Sequence, residues 1–68
     1  MNRDEWIEKF SELTGVQPPT PEQVESILEL AGVAAHASER TAAPVACWMA
    51  GQTDLPVEEW IPVAREVG

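Results

Sequence analysis

Apolar residues recur at helical spacing along the whole chain, and no stretch alternates at period two. In the first segment Trp6, Phe10 and Leu13 line up on one stripe, with Ile7 at its edge. This predicts a helix from about Arg3 to Thr14. Asn2 is placed to cap it, Asp4 and Glu5 sit against its positive end, and Gly15 is placed for a left-handed C-cap. The next stretch, "VQPPTPEQV", reads as a rigid turn in which Thr20 is an N-cap, Pro21 takes the first helical position and Gln23 completes a capping box. A second helix then extends to about Ser38 or Arg40. At about 100° per residue, Val24, Ile27, Leu28, Leu30, Ala31, Ala34, Ala35 and Ala37 spread over roughly half of its circumference. Glu22, Glu25, Glu29, His36 and Arg40 gather on the opposite side. Many of the apolar residues are Ala, so another helix can approach closely.

Pro44 opens a short third helix from Ala43 to about Ala50, closed by Gly51. It has no polar face, and a helix apolar all round is normally buried. The pattern therefore predicts it as the central element, packed by the other three. "GQTDLPVEEW" reads as a loop with Asp54 or Leu55 at the cap and Pro56 in the first turn of a fourth helix running to about Val67. There Val57, Trp60, Ile61, Ala64 and Val67 face inward. Pro62 falls on the outer side and removes one backbone bond, which predicts a kink near Glu58 to Ile61. "DEWIE" at Asp4 and "EEWIP" at Glu58 are too short to be a repeat. The fold class is all-α: residues 1–68 form a single domain, a compact bundle of four short helices joined by short loops.

Length changes this picture by limiting the core. A chain of 68 residues buries only about 60% of its unfolded surface, and a core of this size supplies about 3–5 kcal/mol. One Cys cannot pair within the chain, so no disulfide reinforces it. Dense packing of Trp6, Phe10, Trp48 and Trp60, self-association, or docking on a partner remain. Cys47 reads as a small apolar core residue.

Charge narrows the partners. Twelve acidic residues stand against four basic ones, a net of −8. Phosphate backbones and anionic headgroups repel such a surface, so nucleic acid and membrane are not expected as partners. A basic patch on a protein partner suits it better. The opening "MNRDEWIEKF" has neither the basic lead nor the apolar region of a signal peptide. The longest apolar run, about ten residues, is too short to span a bilayer. A cytoplasmic location is the expectation, and a free Cys fits a reducing compartment.

Candidate chemistry concentrates in "VAAHASERTAAPVACWMAG", Val33 to Gly51, which holds the only His and the only Cys. His36 and Arg40 fall one turn apart on one helix face. One reading is a helix-end ion pair, a basic residue placed well against the negative C-terminus. Another is a pocket for an anion, more readily a partner's carboxylate than a phosphate, shared with the N-terminus of the third helix. A metal site is weaker: one His and one Cys cannot fill a tetrahedral zinc site, and only a symmetric dimer would double them. Cys47 as a nucleophile activated by His36 is disfavoured, because an apolar run raises a thiol pKa. Trp48 and Met49 are the natural anchors if the apolar run contributes to an interface.

The same segment, preceded by "PTPEQVESILELAG", resembles a small actinobacterial helical domain of unknown function. That family occurs alone or as a C-terminal extension of molybdenum cofactor guanylyltransferase-like proteins. The resemblance covers nearly the whole chain, and its most specific part is His36, Arg40, Ala43 and Pro44 as A-H-x-x-x-R-x-x-A-P. It implies an accessory role near molybdenum cofactor maturation, with molybdenum cofactor proteins as partners, and it carries no catalytic residues. The chain has no Gly-rich phosphate loop of its own. The function expected is thus a non-enzymatic accessory or protein-interaction module, with no catalytic residue, cofactor or metal. His36, Arg40, Trp48 and Met49 are the candidate binding residues, and a homodimer is among the partners considered. The alternative is a small ligand- or metal-binding protein using the His36–Arg40 face of a dimer.

Overall fold

The computed structural model describes residues 1–68 and is all-α. Four α-helices follow one another: α1 (Arg3–Thr14), α2 (Pro21–Ala37), α3 (Ala42–Gly51) and α4 (Ile61–Val67), with a 3₁₀ turn at Val57–Trp60 leading into the last. No helix is long and apolar enough to cross a membrane.

The helix starts follow the local chemistry. The Asn2 side chain accepts from the Glu5 N–H at 2.8 Å, and the Glu5 carboxylate accepts from the Asn2 N–H in return. Thr20 and Gln23 repeat the exchange at α2, at 3.2 and 2.8 Å. Each reciprocal pair satisfies two of the N–H groups that a helix start leaves without partners. Gly15 closes α1 with φ +74°, a conformation that strains any residue with a Cβ. The α2 terminus falls at the nearer of the two expected ends. The Ser38 hydroxyl donates to the Ala34 carbonyl at 2.8 Å, and Ser38 leaves the helical region with φ −142° and ψ −96°. A hydroxyl bonding back into the last turn offers the backbone an alternative to another helical residue. Helix α2 thus ends at Ala37, and Arg40 lies in the turn that follows.

The centre of the molecule is α2, not α3 as the all-apolar pattern predicts. Helix α2 packs against α3, the 3₁₀ turn and α4. Its Ala-rich half-circumference lets elements approach from more than one side. Helix α3 lies on the outside, contributing only its small residues to the core. The buried core is Leu30, Ala50 and Ile61, with Cys47, Val57, Trp60 and Ala64 packed against it. Of the four large aromatic residues, only Trp60 joins this cluster. The Trp60 indole N–H donates to the Thr53 hydroxyl at 2.9 Å, and that hydroxyl donates to the Ala50 carbonyl at 3.0 Å. This chain of bonds ties the end of α3 to the start of the final element.

The fourth segment is divided rather than kinked. Its first turn is 3₁₀, and the α-helix begins at Ile61 with Pro62 in its first turn, where no N–H is needed. Val57, Trp60, Ile61 and Ala64 face the core as expected, but Val67 is exposed. Helix α4 has only seven residues, and Val67 stands in its last turn with no neighbour to cover it.

Helix α1 stands apart. None of its α-carbons comes within 8 Å of one in another helix. Trp6 and Phe10 stack on each other, ring centroids 5.0 Å apart, and both remain half exposed. Leu13 is almost wholly in solvent. The radius of gyration, 12.6 Å, exceeds the ~11 Å expected for a compact chain of this length.

Candidate functional site

Two surfaces collect the residues singled out by sequence. The first is the outer face of α3. Its helical rotation sorts the apolar residues by size. Ala43, Ala46, Cys47 and Ala50 turn inward, while Val45, Trp48 and Met49 turn outward. Trp48 is 68% exposed and Met49 61%. Between Ala42 and Gly51 there is no charged side chain, so these two large residues stand on an apolar helix surface. Beside Met49 the face continues into a cleft of about 300 Å³ between α2, α3 and α4. Leu30 forms its floor, and Ala46, Trp60 and Val63 line its walls.

Cys47 lies on the inward side of this helix. Its thiol donates to the Ile27 carbonyl of α2 at 3.7 Å. Burial pushes the thiol pKa up from its ordinary value, because the thiolate is poorly solvated there. The side chain is half-buried rather than fully enclosed. His36 donates no hydrogen bond to it, so the two are not assembled as a nucleophile and its base.

The second surface surrounds His36. Because α2 stops at Ala37, His36 and Arg40 do not share a helix face. Both are exposed, and neither forms an ion pair. Arg40 serves the turn through its backbone, its carbonyl accepting from the Ala43 N–H at 3.1 Å. His36 instead lines a shallow depression with Glu29, Ala64 and Arg65. The Arg65 guanidinium donates to the Glu29 carboxylate at 3.0 Å, linking α4 to α2. The sequence reading missed Arg65. The available signal was its place next to inward-facing Ala64 on a helix that must cross α2 near Glu29. No group of three His, Cys, Asp or Glu side chains converges on a point where a metal ion would sit.

Residues 1–54 match the family described as a domain of unknown function (DUF6457). The chain belongs to this family. The match spans α1, α2 and α3 and stops in the loop before the 3₁₀ turn, so the exposed faces of both α1 and α3 fall within the shared domain. No curated protein and no solved structure matches the chain.

Proposed function

We propose that this DUF6457 domain is a non-enzymatic accessory module that binds a protein partner through the outer face of α3. The observation carrying this reading is the exposure of Trp48 and Met49 on a helix without charge. Large apolar side chains of this kind each contribute about 1.5–3 kcal/mol when fully buried, and Trp and Met are enriched at protein interfaces. The resemblance to extensions of molybdenum cofactor guanylyltransferase-like proteins supplies the context: a cytoplasmic role beside molybdenum cofactor maturation. That resemblance alone supports this part of the reading. The ligand-binding alternative at His36 and Arg40 has less support, since Arg40 does not line the depression at His36.

The test places a photo-cross-linking residue at position 48, and separately at position 36, in the native host. It is joined by titration of a purified molybdenum cofactor guanylyltransferase-like protein. Adducts at position 48 and none at 36, with binding lost in Trp48→Ala/Met49→Ala, are expected. No adduct at 48, or unchanged binding by the double variant, overturns the reading.

A further inference from the structure

Helix α1 has 12 residues, and isolated helices shorter than ~12–15 residues are marginal in water. Its caps favour the helix, but helices of this length take most of their stability from packing an apolar face. That face is the Trp6, Phe10 and Leu13 stripe, 53%, 51% and 88% exposed. The remainder of the chain carries an unoccupied face of the same character: Val45, Trp48 and Met49 on α3, leading into the apolar cleft.

The accessible surface states the deficit. A folded monomer of 7.4 kDa is expected to expose about 4,200 Å². This chain exposes 5519 Å², an excess of about 1,300 Å² over that scaling. A standard protein interface removes about 800 Å² from each partner. The excess is larger than the area each partner gives to a standard interface.

Charge selects the seat. Helix α1 carries Asp4, Glu5, Glu8 and Glu12 against Arg3 and Lys9. Helix α2 presents Glu22, Glu25 and Glu29, and the last segment Glu58, Glu59 and Glu66. Helix α3 alone has no charge, so an acidic helix can land there without meeting like charges on the helix itself.

The exit from α1 selects a second copy over the chain's own α3. The Ser11 hydroxyl donates to the Val16 carbonyl at 2.6 Å, and the Thr14 hydroxyl accepts from the Val16 N–H at 3.2 Å. Gly15 holds the left-handed cap, and Pro18 and Pro19 fix their own φ angles. With this exit α1 stands clear of the chain's own α3, which leaves its apolar stripe open to a second copy.

We propose that two copies of this chain associate by reciprocal arm exchange, the Trp6–Phe10–Leu13 stripe of each seating on the α3 face and adjoining cleft of the other. The contact occurs twice about a two-fold axis. The inference rests on the α3 face being an interaction surface and names a second copy as its occupant.

The experiment uses full-length chains in sedimentation equilibrium and native mass spectrometry. The arm variant is Trp6→Ala/Phe10→Ala, and the seat variant is Trp48→Ala/Met49→Ala. All four positions are exposed, and circular dichroism checks that both variants fold. Wild type is expected to be dimeric at high micromolar concentration, with each variant weakened more than about 30-fold, the scale of losing an interface anchor. An equimolar mixture of the two is expected to form a hetero-pair, because only that combination retains one intact arm and one intact seat. A monomeric wild type, a seat variant that still pairs, or a mixture without hetero-pairs overturns the proposal. The arm variant also separates it from the reading above: a monomeric wild type that still binds the guanylyltransferase-like protein through Trp48 refutes the exchange and leaves that function standing.

Discussion

Thr20→Ala and Asn2→Ala delete the same local chemistry from two helices that differ in what they touch. Each substitution removes the side-chain acceptor of a capping box, at 3.2 Å from Gln23 N in α2 and 2.8 Å from Glu5 N in α1. The intrinsic loss is about 1 kcal/mol in either case. For α2 this loss falls on the cooperative unit, because α2 packs against every other element of the core. Against a total of about 3–5 kcal/mol for a core of this size, it is a large fraction. It should lower the melting temperature by about 4–8 °C. Helix α1 makes no close backbone approach to any other helix. In dilute solution Asn2→Ala should therefore reduce far-UV ellipticity through its 12 residues and leave the cooperative transition where it is. The assay is a thermal melt of both variants at low micromolar concentration, read by circular dichroism and by amide exchange resolved along the sequence. A fall in melting temperature for Asn2→Ala equal to that for Thr20→Ala refutes the reasoning, since it would mean that α1 packs on its own chain. At high concentration the two should converge, because an exchanged arm becomes part of the folded unit.

Burial raises the Cys47 thiol above its ordinary pKa of 9.0. The unfolded chain then releases this proton first, so stability is fully present below that value and declines as pH rises through the folded pKa. Urea midpoints from pH 7 to pH 10 should show this alkaline loss in wild type and a smaller one in Cys47→Ala, and thiol reagents at neutral pH should label the native protein more slowly than the unfolded one. Arg40→Ala should change unfolding stability, read from the urea midpoint, by no more than about 0.5 kcal/mol, as for an uncoupled surface change. Arg65→Ala should cost no more than about 1 kcal/mol, because its ion pair with Glu29 is exposed on both sides. An Arg40→Ala loss larger than that of Arg65→Ala would show that Arg40 closes the turn through its side chain.

The elements of this fold were legible where short-range chemistry decides them. Asn2 with Glu5, Thr20 with Gln23, and Gly15 mark helix boundaries by bonds that span at most a few residues. The end of α2 was less legible, because Ser38 can point outward or bond back to Ala34, and both continue the same pattern up to that residue. The destination of an apolar stripe was not legible at all. Trp6, Phe10 and Leu13 have the spacing of a core face, and that spacing is the same whether the covering surface belongs to the chain or to a second molecule.

Helix α3 shows why hydrophobicity alone misplaced the centre of the molecule. A wheel that scores Ala and Trp as equally apolar reports no outer face. One that sorts by volume finds Ala43, Ala46, Cys47 and Ala50 on one side and Val45, Trp48 and Met49 on the other. The small side lets α3 approach the Ala-rich α2 closely, but Ala brings little apolar area with it, and burial stabilises in proportion to area. The intrachain contact thus fixes geometry more than it supplies free energy, and the core closes with only Leu30, Ala50 and Ile61 buried. The area that would strengthen so small a fold lies in the large residues left outside, on α1 and on α3. On the proposed reading, a module built this way gains stability from the same contact by which it binds, so association and folding should rise and fall together.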